Sequence, residues 1–131
     1  MEKVLNIPSK IENLRIVEKA IDELSAEYNL KSELYGNILI AAIEAANNGI
    51  LHGNKLDETK NINVTFLVSK ENLVITVKDQ GQGFDYMHIP DPTSPENIEK
   101  INGRGVFLME KLSDKINFFE NGSRVELIFN L

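Results

Sequence analysis

Residues 40–53 read IAAIEAANNGILHG, a stretch of small and apolar residues that contains one carboxylate and two side-chain amides. The spacing of its apolar residues predicts a helix that is packed against other elements on most sides. Burial of an amide without partners costs about 2–7 kcal/mol, and asparagine also competes with the helix backbone for hydrogen bonds. Glu44, Asn47 and Asn48 therefore need partners, either inside the protein or from a ligand.

The hydrophobic pattern on either side of this helix predicts an α+β fold. Apolar residues recur at helical spacing in some segments and alternate with polar residues in others. The first half of the chain predicts a strand at Val4–Ile7, a helix after Ser9, the central helix from near Ser32, and strands at Asn61–Val68 and Asn72–Lys78. The second half predicts a loop at Asp79–Gly105, a helix from Val106, and strands at Lys115–Phe119 and Arg124–Phe129. We expect Ser9 and Glu12 to form a capping box at the start of the first helix, and Gly53 to be the C-cap of the central helix. This order predicts one domain over residues 1–131, a two-layer sandwich with helices on one face of a mostly antiparallel sheet.

The composition restricts the class of function. The chain has 131 residues, a net charge of −6 and no cysteine, so disulfides, thiolate nucleophiles and zinc–thiolate sites are excluded. We expect no nucleic-acid binding, because there is no basic stripe interleaved with aromatic residues. We also expect a cytoplasmic protein without a signal peptide or membrane span, because no apolar run is long enough and cysteine is absent.

Two polar residues of the central helix form the first candidate site. Glu44 and Asn48 are four residues apart and therefore lie on the same helix face. A carboxylate beside an amide oxygen is suited to Mg²⁺, which prefers hard oxygen ligands and is often bound by protein groups and substrate phosphates together. A hydrogen bond between Glu44 and Asn48 at a half-exposed helix edge explains the same spacing without a ligand.

The second candidate site follows the strand Asn72–Lys78, where residues 77–84 read VKDQGQGF. Asp79, at the strand end, can accept a hydrogen bond from an amino group such as that of adenine. Gly81 and Gly83 allow positive φ angles and a close approach of the backbone to a flat ligand. A tight turn that needs glycine only for its conformation explains this pattern equally well.

The third candidate site is the segment 102–110, which reads NGRGVFLME. Gly103 and Gly105 lead directly into a predicted helix, and the free N–H groups at a helix start can bind an anion. Arg104 adds a guanidinium group that matches phosphate oxygens. A glycine-flanked helix start without a ligand is the alternative interpretation.

The two histidines give no catalytic pattern. His52 lies near the end of the central helix, where a positive charge would offset the helix dipole, and we favour this interpretation. His88 lies in the long loop, and the sequence identifies no partner for it.

These three segments, in this order, resemble the motifs of the GHKL ATPase superfamily, which includes gyrase, Hsp90, histidine kinases and MutL. IEAANNGILHGN resembles the N box, VKDQGQGF the first glycine box and NGRGVFLME the second. Within the superfamily the chain is most similar to the anti-sigma-factor serine kinases, and the similarity covers essentially the whole chain. We therefore expect neither the dimerisation helix of a sensor histidine kinase nor the transducer domain of gyrase-like members.

The resemblance implies ATP and Mg²⁺ as ligands and a role for each candidate residue. Glu44 would be the general base and Asn48 the Mg²⁺ ligand, and Asp79 would bind the adenine amino group. The glycine-rich segments would supply the rest of the site: a pocket floor at Gly81 and Gly83, a lid over ATP at residues 84–102, and phosphate contacts at Gly103, Arg104 and Gly105.

The resemblance also implies partners. The chain would be a serine/threonine protein kinase that phosphorylates a small anti-anti-sigma protein, binds a sigma factor and forms a homodimer. The alternative is a non-catalytic ATP-binding module that sequesters a sigma factor or another partner. Related kinases place an arginine in the first helix about where this chain has Glu18, whereas Arg15 lies one turn earlier.

Overall fold

The sheet of the domain is antiparallel between every pair of neighbouring strands. The computed structural model describes residues 1–83 and 101–131, with the backbone alone at 101–104. Within these residues the strands are β1 (Glu2–Pro8), β2 (Asn61–Val68), β3 (Asn72–Lys78), β4 (Lys115–Phe119) and β5 (Arg124–Asn130), in the spatial order β1-β2-β3-β5-β4. The four ladders confirm the predicted antiparallel sheet.

Helices cover one face of this sheet, as predicted. In the described part of the chain they are α1 (Leu14–Tyr28), α2 (Ser32–Asn48) and α3 (Ile101–Leu112), and none of them is long and apolar enough to cross a membrane. Alternate residues of β2, β3 and β5 are buried beneath the helices, which gives these strands their period of two. Four buried alanines of α2, which are Ala41, Ala42, Ala45 and Ala46, are small enough to let α2 pack closely against its neighbours.

α2 continues past Asn48 into a single π-helical turn, Gly49–Gly53. In this turn the Asn54 N–H donates to the Gly49 carbonyl at 2.8 Å. Gly53 is not among the glycines with positive φ, so the predicted glycine C-cap is wrong, although the helix ends where the sequence indicated. Turns of this kind are wider than an α-helix and occur often at functional sites.

α1 begins without the predicted capping box. A 3₁₀ turn, Ile11–Asn13, precedes α1, and no side chain within the described part of the chain caps either segment. The Ser9 hydroxyl is buried and donates to the Lys60 carbonyl at 2.6 Å, so it is used inside the fold and not at the helix start. The capping-box prediction is therefore wrong.

α3 begins earlier than the sequence indicated. Gly103 and Arg104 lie in its first turn, although the pattern placed them in a loop that ran to Gly105. Glycine lowers helix propensity by about 1 kcal/mol, and burial of α3 against α2 outweighs that preference. Residues 84–100, which include His88 and most of the predicted lid, lie outside the described residues.

Candidate active site

A cavity of about 120 Å³ lies between the end of α2, the end of β3, and β5. Its walls are mainly apolar and are formed by Ala45, Val77, Met109, Phe118 and Val125. Its polar side chains are Asn48, His52, Asp79 and Ser123. An apolar cleft with a small number of polar groups is the usual form of a small-molecule site.

Asp79, the first residue after β3, is held by backbone hydrogen bonds. Its N–H donates to the Ser123 carbonyl at 2.9 Å, and its Oδ1 accepts the Gly81 N–H at 2.8 Å. Its Oδ2 accepts no hydrogen bond from the described residues and so has capacity for a ligand. Burial raises the pKa of the Asp79 carboxyl, and the hydrogen bond from Gly81 partly offsets that increase.

The Asp79 carboxylate lies directly against the π-helical turn. A Cβ on Gly53 would lie 2.3 Å from Asp79 Cγ, and a Cβ on Gly49 would lie 3.6 Å from Asp79 Cβ. Gly81 approaches the same turn, because a Cβ there would lie 2.2 Å from the Gly53 carbonyl oxygen. Gly81 is therefore required for close approach and not for the predicted positive φ.

Gly83 does have the predicted positive φ, 86°. It brings the loop after β3 against the turn Glu120–Gly122 that joins β4 to β5, since a Cβ on Gly83 would lie 1.9 Å from the Asn121 carbonyl oxygen. Both Gly83 and Gly122 line the cavity. This contact closes one wall of the site.

Asn48 lines the cavity, and its side-chain oxygen has no partner among the described residues. Its Oδ1 is buried and accepts no hydrogen bond within the described part of the chain. Among these residues Asn48 Nδ2 donates no hydrogen bond to Glu44 either, so a hydrogen bond between the two side chains does not explain their spacing. A buried amide oxygen without a partner fits a hard cation such as Mg²⁺ or a water bound to it.

Glu44 lies beside Asn48 at the start of α3. A Cβ on Gly105 would lie 3.2 Å from Glu44 Oε2 and 3.0 Å from Asn48 Nδ2. The absence of a side chain at Gly105 thus allows α3 to approach both polar groups. The first turn of α3, with Gly103 and Arg104, adjoins Gly105 and completes this junction of α2 and α3.

Glu44 also lines a second depression, which is a groove between α1 and α2. The other residues that line this groove are Ile11, Glu12, Leu14, Arg15, Glu18, Leu39, Ile40 and Ile43. Asn48 lines the cavity and Glu44 lines the groove, one helical turn apart. The two depressions are therefore adjacent along α2. Arg15 and Glu18, where the sequence departs from the family pattern, both belong to this groove.

His52 lines the cavity and lies in the last turn of the segment Gly49–Gly53. Partial burial lowers the pKa of its imidazole and so disfavours the charged form. A histidine that stabilised a helix end by its charge would have a raised pKa. The direction of the shift therefore gives no support to the helix-dipole interpretation of His52, which stays a prediction.

Asn54 is the residue of this region that sequence reasoning missed. Its side chain is 2% exposed, and its Oδ1 accepts the Gln80 N–H at 2.7 Å. Its Nδ2 donates to Ser9 Oγ at 2.8 Å and to the Asn61 carbonyl at 3.0 Å. An asparagine after a helix has the pattern of a cap, and only these tertiary contacts distinguish Asn54 from one.

Comparison with known proteins agrees with this geometry. Residues 7–129 match the histidine kinase-like ATPase domain, and the chain belongs to that family. The serine-protein kinase RsbW of Bacillus licheniformis is 31% identical to it over 116 residues, which cover 83% of this chain and 72% of the relative. RsbW of Oceanobacillus iheyensis is 26% identical, and the match covers 86% of this chain and 75% of the relative. RsbW of Staphylococcus epidermidis is also 26% identical, and the match covers 95% of this chain and 83% of the relative. The predicted resemblance to the serine kinases of this superfamily is confirmed.

Proposed function

We propose that the chain is a serine/threonine protein kinase that binds ATP and Mg²⁺ where α2, α3 and the loop after β3 meet. The observation that carries this proposal is the buried Asn48 Oδ1, which has no partner among the described residues and lies beside the Glu44 carboxylate. An amide oxygen that lines an apolar cavity, with a carboxylate one helical turn away, matches a nucleotide whose ring faces are apolar and whose phosphates carry a cation.

The adenine ring would occupy the apolar cavity. Asp79 Oδ2 would accept a hydrogen bond from the adenine amino group, because Oδ1 is already bonded to the Gly81 N–H. Val77, Met109 and Val125 would pack against the faces and edges of the ring. The Asp79 carboxylate would thus select adenine among the bases, and the apolar walls would bury most of the surface of the ring.

The phosphates would lie at the junction of α2 and α3. Asn48 would be the protein ligand of Mg²⁺, which when bound neutralises charge on the phosphate oxygens. The amino-terminal turn of α3 would supply free N–H groups and Arg104 its guanidinium to the same phosphates, and Gly103 and Gly105 would allow the close approach. These assignments to α3 stay predictions from the sequence, as does the ATP lid at residues 84–102.

Glu44 would act as the general base for the acceptor hydroxyl. Phosphoryl transfer depends mostly on positioning and charge neutralisation, with one group to take the hydroxyl proton. Glu44 is suited to that position because it lies next to Asn48 and also lines the groove between α1 and α2. A serine delivered through the groove would meet the nucleotide at this carboxylate.

The protein partners follow from the same proposal. The substrate would be a small anti-anti-sigma protein, and a sigma factor would be a second partner of the kinase. Arg15, in the groove, would take part in sigma-factor binding in place of the arginine expected near Glu18. The homodimer stays a prediction, which sedimentation equilibrium can test.

Transfer of a radiolabelled γ-phosphoryl group from ATP to an anti-anti-sigma protein encoded beside this chain tests the proposal. We expect label on a serine or threonine of the partner with the wild-type chain and none with Asp79→Asn. Tight binding of the partner without transfer would contradict the kinase and favour the non-catalytic module. Transfer that is unchanged in Asp79→Asn would contradict the placement of the nucleotide.

A further inference from the structure

A buried polar cluster around Asn54 adjoins the cavity but does not line it, and no role proposed above uses it. Asn54 is 2% exposed and Ser9 is 1% exposed. The Asn54 amide is fully used: Oδ1 accepts the Gln80 N–H, and Nδ2 donates to Ser9 Oγ and the Asn61 carbonyl. Such a complete network inside a fold restricts the geometry of every segment that it joins.

The segment it restricts most directly is the loop that carries Asp79. The Asn54 side chain binds the Gln80 N–H at 2.7 Å, and the Gln80 Oε1 accepts the Asn61 N–H at 2.7 Å. On the other side, the Asp79 N–H donates to the Ser123 carbonyl at 2.9 Å. The peptide groups before and after Asp79 are therefore both anchored, which restrains its φ and ψ angles and the direction of its Cα–Cβ bond.

We infer that Asn54 is a positioning residue for Asp79, and that it determines how strongly the site discriminates adenine from a purine that lacks the amino group. This inference rests on the proposed function, in which Asp79 accepts the adenine amino hydrogen. Asn54 makes no contact with the nucleotide in this proposal. It acts through the backbone of Gln80, which follows the base-binding carboxylate.

Loss of stability alone cannot test this role. Asn54→Ala would leave the Gln80 N–H and the Asn61 carbonyl without a partner, and a purely structural role would have the same effect. Base discrimination separates the two roles. Inosine diphosphate has an acceptor oxygen where adenosine diphosphate has a donor amino group, so only a correctly directed carboxylate at residue 79 distinguishes them.

Calorimetric titration with ADP and with inosine diphosphate, both with Mg²⁺, provides the test. We expect the wild-type chain to prefer ADP, and Asn54→Ala to lower the ratio of the two affinities by about tenfold or more. Ser9→Ala is the matched control, since it removes two hydrogen bonds of the cluster but leaves the one to Gln80 in place. It should lose stability and keep the wild-type ratio.

An unchanged ratio in Asn54→Ala would overturn the inference and leave Asn54 a structural residue only. If that variant does not fold, Asn54→Leu serves instead, because leucine fills a similar volume and has no acceptor for the Gln80 N–H. Its ratio should fall as in Asn54→Ala, and a ratio equal to that of the wild type would overturn the inference. Absence of ADP binding to the wild-type chain would overturn the proposed function itself, which makes the two failures distinguishable.

Discussion

Asp79 and Gly53 are in direct contact across the cavity wall: a Cβ on Gly53 would lie 2.3 Å from Asp79 Cγ and 2.4 Å from its Oδ2. The contact joins the π-helical turn at the end of α2 to the loop after β3. The backbone of Gly53 thus sets the position of the carboxylate to which we assign the adenine amino group. A side chain at residue 53 would displace that carboxylate.

Gly53→Ala should therefore weaken nucleotide binding as well as lower the stability of the fold. The added methyl group meets the end of a side chain that can rotate, so we expect a loss of about 1–3 kcal/mol in the free energy of unfolding. We expect ADP affinity to fall by about tenfold or more, because the carboxylate no longer points into the cavity. Urea unfolding and calorimetry measure the two quantities.

Gly36→Ala is the matched control in the same helix. A Cβ on Gly36 would have no atom within 4 Å, so this change should stabilise α2 by up to about 1 kcal/mol without altering ADP affinity. Equal ADP affinities for Gly53→Ala and Gly36→Ala would contradict the importance of the contact between Gly53 and Asp79.

Asn48→Ala should remove the dependence of ATP affinity on Mg²⁺. The wild-type chain should bind ATP more tightly with Mg²⁺ than with a chelator, because the buried Asn48 Oδ1 contributes to the cation site. In Asn48→Ala the two affinities should approach each other. Asn47→Ala is the control, because Asn47 precedes Asn48 in the same helix and is not part of the cavity lining. It should keep the wild-type difference between the ATP affinities with Mg²⁺ and with a chelator. Loss of this difference in both variants would argue against a specific cation site at Asn48.

Glu44→Gln should slow phosphoryl transfer and leave nucleotide binding nearly intact. The amide has the shape of the carboxylate but cannot accept the hydroxyl proton, and the contribution of a general base is about 10²–10⁴ in rate. Single-turnover transfer to the protein substrate measures this step, and calorimetry measures ATP affinity. A transfer rate equal to that of the wild type would exclude Glu44 as the base.

Much of the fold was predictable because the local signals were consistent. Alternate residues of the strands at Asn61–Val68 and Asn72–Lys78 are buried and the strands pair as expected, and α2 begins at Ser32 as its pattern indicates. The predictions that failed depended on which partner a polar or flexible residue finds. Ser9 had the sequence of a cap, but its hydroxyl binds Lys60, which is distant in the chain.

The site was predictable in its residues but not in its contacts. Glu44, Asn48 and Asp79 could be proposed from their spacing and chemistry, and the structure brings Asn48 and Asp79 to one cavity. Gly53 and Asn54 could not be assigned, because their roles depend on a π-helical turn and on the approach of the loop after β3. Neither feature has a periodic signal in the sequence.

The stability of the chain should depend on pH through Asp79. Burial raises the pKa of Asp79 above its ordinary value of 3.8, so the folded state binds this proton more tightly than the unfolded chain does. The contribution of protonated Asp79 to the free energy of unfolding is fully present below the ordinary pKa. It is lost as the pH rises through the raised pKa of the folded state. Asp79→Asn lacks this titration and should gain stability relative to the wild type over that pH range.

Urea unfolding of the wild type and of Asp79→Asn at a series of pH values measures this difference. Other carboxylates titrate in both proteins, so the difference between the two isolates residue 79. A stability advantage of Asp79→Asn over the wild type that decreases as the pH rises would contradict the effect of burial on the pKa of Asp79.

Titration of Asp79→Asn with MgADP in a calorimeter is the most direct test of the nucleotide site. Asparagine retains an oxygen that can accept the Gly81 N–H, so the variant should fold, as urea unfolding would show. Its second group is a donor and cannot accept a hydrogen bond from the adenine amino group. We predict that the wild-type chain binds MgADP and that Asp79→Asn shows no measurable binding. Equal affinity of the two proteins for MgADP would contradict the assignment of this cavity to adenine.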